Sequence, residues 1–423
     1  MLRQITVNEW IKHQSASLES VHDSVTQIIQ DVSSRGDEAL LELSKRFDNV
    51  VLETVKVPEE AILNAHKQID KEVYQALIDA YERIVLFHTL QKQKELWLQE
   101  TDPGILLGVK VTPLERIGIY VPGGRAAYPS TVLMCAGPAH VAGVSEICLC
   151  TPPGKEGPSP LTLAACAICG ITEVYQIGGA QAIAAMAYGT ESIARVDKIV
   201  GPGNSYVTVA KSIVQGDVAI DFPAGPSEIV IIADESANSA FIAADILAQS
   251  EHDPFAASLL ITPSEELTDR VNENIETQIK DAPRKEIILQ ALKQGGLIVS
   301  SDLDEAVQIA NAVAPEHLSL QVAEPIHMLS QIKNAGSIFV GSYAPVACGD
   351  YASGTNHVLP TAGNARLYSG LNLAHFTKTS TVQIINKEGL MQIQNTIEKI
   401  ADAEGLHAHA NSVRIRLKSN KSK

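Results

Sequence analysis

The feature that most constrains the fold is a strict alternation of short apolar runs and helical patterns between residues 117 and 340. In its first part, strands are predicted at 117–121, 147–150, 174–177, 198–200 and 218–220, with helices at 130–143, 161–169, 179–188 and 204–215. Short joints that contain Gly or Pro separate these segments. Such alternation is typical of parallel βαβ units with right-handed crossovers.

A second alternating series follows the turn-forming segment Pro223-Ala-Gly-Pro226. Its strands are predicted at 229–232, 258–261, 297–299, 318–322 and 338–340, with helices between them that include 238–249 and 304–313. The chain is therefore predicted to be an α/β protein with two parallel-sheet layers that divide near residue 225. Residues 1 to about 110, and the residues from about Leu371 onward, have helical patterns and are predicted to form helical extensions.

Composition and charge exclude several classes of partner. The 423 residues allow two or three domains with a large core. The 33 basic and 49 acidic residues give a formal net charge of −16, which argues against nucleic-acid and anionic-membrane partners. No apolar run approaches the roughly 20 residues of a membrane span. The first residues do not resemble a signal peptide, so we expect a cytoplasmic protein with reduced cysteines.

The stretch 347–360 fits neither a helix nor a strand, because it is rich in small and turn-forming residues. It also lacks the composition of a disordered linker. Asp350 and His357 are potential ligands within it. Long loops between apolar segments often carry function, but a surface loop whose aspartate caps a turn would look the same.

Two further segments bring chemically useful side chains together. Gln249 and His252 lie three residues apart at the end of a predicted helix that Pro254 stops, so they share a face. An amide oxygen and an imidazole suit Zn²⁺, although a surface helix end with a histidine is the alternative. Glu316 and His317 stand together before a predicted strand and offer two bases of different pKa; ordinary loop polarity is the alternative.

Other histidines, glycines and cysteines leave alternatives open. His407 and His409 would share a face on a strand and diverge on a helix. Glycine-rich joints at 123–124, 178–179 and 201–204 follow predicted parallel strands, where open α/β sheets bind ligands and helix N-termini can hold phosphates. The fingerprint G-x-G-x-x-G is absent, so spacing alone gives little support for a dinucleotide. Four cysteines could hold a structural zinc ion, but their apolar surroundings favour buried small residues; they are Cys148, Cys150, Cys166 and Cys169.

Taken together, these segments resemble those of the histidinol dehydrogenases. The matching strings follow one another in family order along nearly the whole chain. They are Val121-Pro-Gly-Gly124, Gly178-Gly-Ala-Gln-Ala-Ile-Ala184, Gly201-Pro-Gly-Asn204, Asp221-Phe-Pro-Ala-Gly-Pro-Ser-Glu228, Gln249-Ser-Glu-His252, Pro315-Glu-His-Leu318 and Gly349-Asp-Tyr-Ala-Ser-Gly-Thr-Asn-His-Val-Leu-Pro-Thr361.

The resemblance implies a zinc- and NAD-dependent enzyme that oxidises L-histidinol to L-histidine through L-histidinal and its hydrate, the last step of histidine biosynthesis. Two NAD⁺ would be reduced, and each subunit would hold one Zn²⁺ that orients the substrate through its imidazole and amine. His317 would act as general base on the alcohol and later on the hydrate. Glu316 would activate the water that attacks the aldehyde.

The resemblance also implies the binding residues, position by position. The zinc ligands would be Gln249, His252, Asp350 and His409, which favours His409 over His407 because the family pattern pairs it with Glu404. The substrate contacts would be Ser227, Gln249, His252, His317, Asp350, His357, Glu404 and His409. The dinucleotide contacts would be Tyr120, Gln181 and Asn204.

The architecture that the resemblance implies has two incomplete Rossmann-like parallel-sheet domains with helical N-terminal and C-terminal extensions. The extension 1–22 would precede a first α/β domain, 23–119 with 227–370, that carries the metal and catalytic residues. A second α/β domain, 120–226, would bind NAD, and the tail 371–423 would be a dimer arm. Family members are homodimers in which the tail of one subunit completes the site of the other, so Glu404 and His409 would act in trans.

Two other functions compete with this one. A zinc hydrolase could use Glu316 to activate water with no redox step, and it would not need the glycine-rich strand ends between residues 117 and 227. A catalytically inactive homologue would bind a ligand without turnover. The complete set of candidate ligands and bases speaks against the inactive homologue.

Overall fold

The structure, a computed structural model, describes residues 2–14, 21–123, 127–223 and 225–418. The helices are α1 (Val7–Gln14), α2 (His22–Arg35), α3 (Asp37–Phe47), α4 (Glu59–Asn64), α5 (Lys71–Thr89), α6 (Pro129–Ala142), α7 (Pro160–Ile168), α8 (Gly179–Tyr188), α9 (Ser205–Val214), α10 (Ser239–Ser250), α11 (Glu265–Gln278), α12 (Lys285–Ala291), α13 (Leu303–Val313), α14 (Pro325–Leu329), α15 (Lys387–Ala403) and α16 (His407–Leu417). The strands are β1 (Leu96–Asp102), β2 (Ile105–Pro113), β3 (Arg116–Tyr120), β4 (Glu146–Cys150), β5 (Glu173–Tyr175), β6 (Lys198–Val200), β7 (Ala219–Ile220), β8 (Glu228–Ala233), β9 (Ala257–Thr262), β10 (Gly296–Val299), β11 (His317–Gln321), β12 (Ser337–Val340) and β13 (Thr377–Ile385).

Two parallel sheets form the core of the fold, and they confirm the predicted α/β class. In the described residues, the first sheet has the strand order β5-β4-β3-β6-β7 and the second has the order β10-β9-β8-β11-β12. Every neighbouring pair in both sheets is parallel. We refer to them below as the first sheet and the second sheet.

Both sheets are covered by helices on each face, which explains their continuous apolar runs. Every residue of β8 is buried. Ile183 of α8 packs on one face of the first sheet, and Leu133 of α6 packs on the other. Ile242 of α10 and Val307 of α13 cover the two faces of the second sheet in the same way.

The predicted helical extensions also contain strands at two places. The strands β1, β2 and β13 form an antiparallel sheet with the order β1-β2-β13, made from segments that were predicted to be helical. All seven residues of β1 are exposed, so no alternation of apolar and polar residues marks it as a strand. The β-branched residues of β13 are typical of a strand, yet its partner β2 lies more than 250 residues earlier in the chain.

The chain divides into two compact units. The first comprises the residues up to Gln91 together with Leu114–Phe376, and therefore contains both parallel sheets. The second comprises Lys92–Pro113 and the residues from Thr377 onward, and therefore contains the antiparallel sheet with α15 and α16. The domain boundaries predicted at 22, 119, 226 and 370 stay predictions, and β3 spans the one at 119.

The predicted burial of the cysteines fits the structure. Cys148, Cys150, Cys166 and Cys169 are all buried in the first unit, with unpaired thiols. Burial raises the pKa of the Cys148 thiol to about 12, which disfavours the thiolate that a zinc ligand requires. Among the described residues, no helix combines the length and apolar character needed to cross a membrane.

Candidate active site

The candidate site lies at the amino-terminal edge of the second sheet, opposite to the edge that open α/β sheets ordinarily use. Glu228 is the first residue of β8, and His317 is the first residue of the neighbouring strand β11. The two strands pair in parallel, with His317 opposite Ile229. Glu228, Glu316 and His317 are consequently brought side by side, and all three are buried.

His317 presents one free ring nitrogen. Its Nδ1 lies 3.0 Å from the carbonyl oxygen of Glu228, and because a carbonyl oxygen only accepts, Nδ1 carries the proton. Burial lowers the pKa of His317 to about 3, so the ring is neutral near pH 7. Its Nε2 is buried, lies 4.0 Å from Oδ1 of Asp350, and has no hydrogen-bond partner among the described residues. The ring therefore offers an unshared lone pair to a ligand.

Glu316 lies beside this ring, with its Oε2 3.4 Å from Nδ1 of His317. The main-chain N–H of Glu228 donates to the same oxygen at 2.8 Å, and the Ser227 hydroxyl also donates to the carboxylate. Burial raises the pKa of Glu316 well above its usual range, and the charges of Glu228 and Asp350 raise it further. A buried carboxylate of this kind is a stronger base when it is ionised.

Asp350 is held by one turn of π-helix, Cys348–Ala352, within the stretch that the sequence marked as a long loop. The Ser353 N–H donates to the Cys348 oxygen at 2.7 Å, which is the i→i+5 bond of such a turn. π-Helical turns are often found at functional sites. Asp350 is only 9% exposed, and burial raises the pKa of its carboxyl to about 7. A cation beside it would offset this desolvation.

His357 is oriented at both ring nitrogens. Its Nδ1–H donates to the main-chain oxygen of Asp350 at 2.9 Å, so its Nε2 accepts from the Thr131 hydroxyl at 3.3 Å. Burial lowers the pKa of His357 to about 4, so this ring is neutral as well. The neighbouring Asn356 side chain donates to the Met134 oxygen at 2.7 Å, and the two contacts join this stretch to α6.

Gln249 and His252 flank the same region from the end of α10. The helix ends at Ser250, so His252 follows it in a turn, and its N–H donates to the Gln249 oxygen at 3.4 Å. The Gln249 side chain is buried, and its Nε2 has no hydrogen-bond partner in the described part of the chain. A positive charge on His252 would lower the pKa of both His317 and His357.

These side chains fit a cation in part. The first unit contains three side chains of types that can bind a cation, an amide, an imidazole and a desolvated carboxylate, at Gln249, His252 and Asp350. No group of three His, Cys, Asp or Glu side chains is arranged as a metal site within the residues that the structure describes. Zinc therefore stays a prediction, with an amide as one ligand and His409 as another.

Glu404 and His409 belong to the second unit. Glu404 caps the end of α15, and His409 lies in the first turn of α16, where both are exposed. Because His407 and His409 are on a helix, they diverge, and His407 Nδ1 lies 3.0 Å from Oδ1 of Asp402. His407 thus has Asp402 as its contact partner. The roles of Glu404 and His409 stay predictions.

The predicted dinucleotide contacts lie at the carboxyl edge of the first sheet. Tyr120 ends β3, and its hydroxyl accepts from the Gly179 N–H at 3.0 Å; burial raises its pKa to about 12. Gln181 is buried in the first turn of α8. Asn204 is exposed and caps α9, with its Oδ1 accepting from the Val207 N–H at 3.2 Å. The N-termini of α8 and α9 thus lie at this edge, where helix N-termini of α/β folds can hold anions.

A buried ion pair supports the loop before Asn204. Lys211 and Asp221 contact each other, Lys211 Nζ donates to the Gly201 oxygen at 3.0 Å, and Asp221 Oδ2 accepts from the Gly201 N–H at 2.9 Å. Gly201 has a φ of 117°, and a Cβ there would lie 2.1 Å from the Tyr120 oxygen. The close approach of this loop to β3 therefore requires glycine.

Three residues of the site escaped sequence reasoning. Glu228 ends one of the strings that resemble the family, yet nothing in that string marks its side chain as part of the site. Thr131 and Asn356 act through partners 226 and 222 residues away in the chain. Only the buried polar character of Glu228 at the start of an otherwise apolar strand could have drawn attention to it.

Comparison with known proteins identifies the family. The histidinol dehydrogenase family model matches residues 11–417. The chain belongs to the histidinol dehydrogenase family. A histidinol dehydrogenase of Methanosarcina mazei is 50% identical over 409 residues, which cover 96% of this chain and 94% of that protein. One from Methanothermobacter thermautotrophicus is 50% identical over 426 residues, covering 99% and 100% of the two chains.

The family also matches at the level of the fold. The crystal structure of histidinol dehydrogenase from Elizabethkingia anophelis superimposes with a TM-score of 0.95 at 41% sequence identity. The match covers 100% of this chain and 99% of that one. The chain is thus an enzyme of this family, and its two parallel sheets have the mixed α/β fold expected for it.

Proposed function

We propose that the enzyme oxidises L-histidinol to L-histidine through L-histidinal, with Zn²⁺ and two NAD⁺, as the last step of histidine biosynthesis. Membership of the histidinol dehydrogenase family supports the oxidation of histidinol. The single observation that carries the chemistry is the neutral, buried His317: its Nδ1 lies 3.4 Å from Oε2 of Glu316, and its Nε2, which has no partner among the described residues, lies 4.0 Å from Oδ1 of Asp350.

His317 is the general base of the proposal. Its Nε2 takes the proton from the alcohol oxygen while hydride leaves the carbon, and it does the same later for the hydrate of the aldehyde. The hydrogen bond from Nδ1–H to the Glu228 oxygen keeps the ring in the tautomer that has its lone pair on Nε2. The Phe339 ring packs beside the imidazole, with its centroid 5.9 Å from that of His317.

Glu316 activates water between the two oxidations. Its carboxylate accepts a proton from water as the water oxygen bonds to the aldehyde carbon. The Glu228 N–H and the Ser227 hydroxyl hold the carboxylate in place for this step. We expect Ser227 and His357 also to contact the substrate, since both border the pair of bases.

The residues that would hold zinc are Gln249, His252, Asp350 and His409. The residues that would contact NAD are Tyr120, Gln181 and Asn204. When bound, Zn²⁺ would orient the substrate through its imidazole and amine, and NAD⁺ would accept the hydride. The raised pKa of the buried Asp350 carboxyl supports a cation beside it. The helix N-termini of α8 and α9 support the dinucleotide.

Counting NADH tests this function. We expect two NADH per histidinol consumed, measured by absorbance at limiting substrate with zinc present, because both oxidations occur at one site. A ratio near one would mean that the aldehyde leaves before its oxidation. If zinc-loaded protein gives no absorbance change, the proposed dehydrogenase activity is wrong. The alternative function, a zinc hydrolase that uses Glu316 to activate water, is then favoured. A reaction without histidinol serves as the control.

We also propose a homodimer in which the second unit of one subunit completes the site of its partner, with Glu404 and His409 acting in trans. This unit exposes several large apolar side chains to solvent, which is the composition of an interface. They include Trp97 at 47%, Ile400 at 56%, Leu406 at 45% and Ile415 at 63% exposure.

Mixing two inactive variants tests the shared site. His317→Asn subunits and His409→Asn subunits are each expected to be inactive alone. After they are refolded together, a mixed dimer would contain one complete site out of two, so we expect about a quarter of wild-type turnover. A mixture that stays inactive, although light scattering shows mixed dimers, would place both residues in the site of the same subunit.

We propose the cytoplasm as the compartment, because all six cysteines are unpaired. Recovery of the enzyme in a secreted fraction would contradict this.

A further inference from the structure

We infer that Glu228 is a positioning residue for Glu316, because its side chain holds the main chain of Glu316 and the turn at Ala362 in place. The inference depends on the proposed function for the reaction step that it supports. The contacts themselves come from the fold, and a measurement that needs no turnover can test them.

Glu228 makes contacts to both segments from the start of β8. Its Oε1 accepts from the Glu316 N–H at 3.4 Å and from the Ala362 N–H at 3.1 Å. In return, its own N–H donates to Oε2 of Glu316 at 2.8 Å. The two glutamates therefore hold each other reciprocally, each with a carboxylate oxygen on the main-chain N–H of the other. Glu228 is 3% exposed, so water does not compete for these contacts.

The main chain and the side chain of Glu228 serve different partners. The main-chain oxygen accepts from Nδ1 of His317, and this contact does not depend on the side chain. The side-chain oxygen Oε1 accepts hydrogen bonds from the main-chain N–H groups of Glu316 and Ala362. Substituting Glu228 should therefore disturb the water-activating carboxylate more than the general base.

The turn at Ala362 shows why a distant acceptor is needed. Ala362 has a φ of 55°, a conformation that residues other than glycine rarely adopt. The surrounding structure must hold such a residue in place. The Thr361 hydroxyl accepts from the Gly225 N–H, and Glu228 Oε1 accepts from the Ala362 N–H, so both anchors come from the chain around the start of β8.

Two conservative substitutions separate the reach of the side chain from its charge. Glu228→Gln keeps the length of the side chain and an acceptor oxygen but removes the charge. Glu228→Asp keeps the charge but withdraws the acceptor by one methylene group. If reach is what positions Glu316, the Gln variant should work and the Asp variant should fail, with both expected to fold.

The two directions of the aldehyde reaction give the functional measurement. Oxidation of histidinal by NAD⁺ needs activated water, whereas its reduction by NADH does not. In Glu228→Asp we expect oxidation to fall at least about tenfold and reduction to change less than about threefold, because small displacements of a catalytic group have large effects. In Glu228→Gln we expect both rates to stay within about threefold of wild type.

Two outcomes would overturn the inference. Equal losses in both directions of Glu228→Asp, with zinc content and melting temperature unchanged, would mean a general effect on the site. A loss in Glu228→Gln together with near wild-type rates in Glu228→Asp would mean that charge, and not reach, is what matters.

Hydrogen exchange provides the measurement that is independent of turnover. Mass spectrometry of peptides that contain Glu316 and Ala362 should show faster amide exchange in Glu228→Asp and unchanged exchange in Glu228→Gln, because those two N–H groups lose or keep their acceptor. Unchanged exchange in the Asp variant would refute the contacts. If the wild type forms no NADH with histidinol, the proposed function fails, and hydrogen exchange still decides whether Glu228 holds these segments.

Discussion

Replacing His317 with Asn is expected to lower turnover of histidinol by about 10²- to 10⁴-fold, the range that a general base contributes. The Asn side-chain amide can still donate to the Glu228 oxygen, as Nδ1 of the imidazole does at 3.0 Å. What it lacks is the lone pair on Nε2, the ring nitrogen of His317 that has no partner in the described part of the chain. Steady-state kinetics with histidinol and NAD⁺ would measure the loss.

Zinc content and a second buried histidine supply the controls for this variant. His317 is not among the predicted zinc ligands, so the metal bound per subunit should stay at the wild-type level. His88 is fully buried and its Nδ1 contacts the Ile84 oxygen at 2.8 Å, so His88→Asn makes the same change away from the two bases. Turnover that is unchanged in His317→Asn, or equally lowered in His88→Asn, would remove the assigned role.

Replacing Asp350 with Asn is expected to weaken zinc binding by more than the 10- to 100-fold that loss of an outer-shell partner brings, and to abolish turnover at limiting zinc. The substitution keeps the shape of the side chain and removes the charge that makes this buried position favourable for a cation. Competition with a chromophoric chelator measures the affinity, and added zinc should restore part of the turnover.

A buried carboxylate at the far end of β8 is the matched control. Asp234 is 7% exposed and accepts from the Ala323 N–H at 2.8 Å, at the carboxyl end of the strand that Glu228 begins. Asp234→Asn removes a buried charge from the same sheet, so it should lower stability and leave zinc affinity unchanged. Wild-type zinc affinity in Asp350→Asn would exclude Asp350 as a ligand.

Much of the fold was predictable because the signals are local. The predicted strand 318–322 is observed as His317–Gln321, and the predicted helix 179–188 as Gly179–Tyr188. In parallel sheets both faces are buried, so each strand is an apolar run that needs no knowledge of its neighbours. The antiparallel sheet was missed for the opposite reason. Its strand β1 is exposed throughout, and only pairing with β2 makes it a strand.

The stretch 347–360 shows what a sequence pattern could and could not convey. Its composition indicated an irregular segment with Asp350 and His357 as candidate ligands. It did not indicate a π-helical turn, because the i→i+5 bond depends on how the turn packs against its surroundings. The orientation of His357 depends on Thr131, which is 226 residues away in the chain.

The sequence by itself determined the α/β class, the family and the residue types available for chemistry, because periodicity and motif order are properties of neighbouring residues. Only the tertiary structure decided that the pair Glu316 and His317 lies at the amino-terminal edge of its sheet. It left Nε2 of His317 without a hydrogen-bond partner among the residues that the structure describes. It also revealed Glu228, whose carboxylate accepts hydrogen bonds from residues 88 and 134 positions further along the chain. Contacts over such separations depend on which strands become neighbours, and no local pattern encodes that choice.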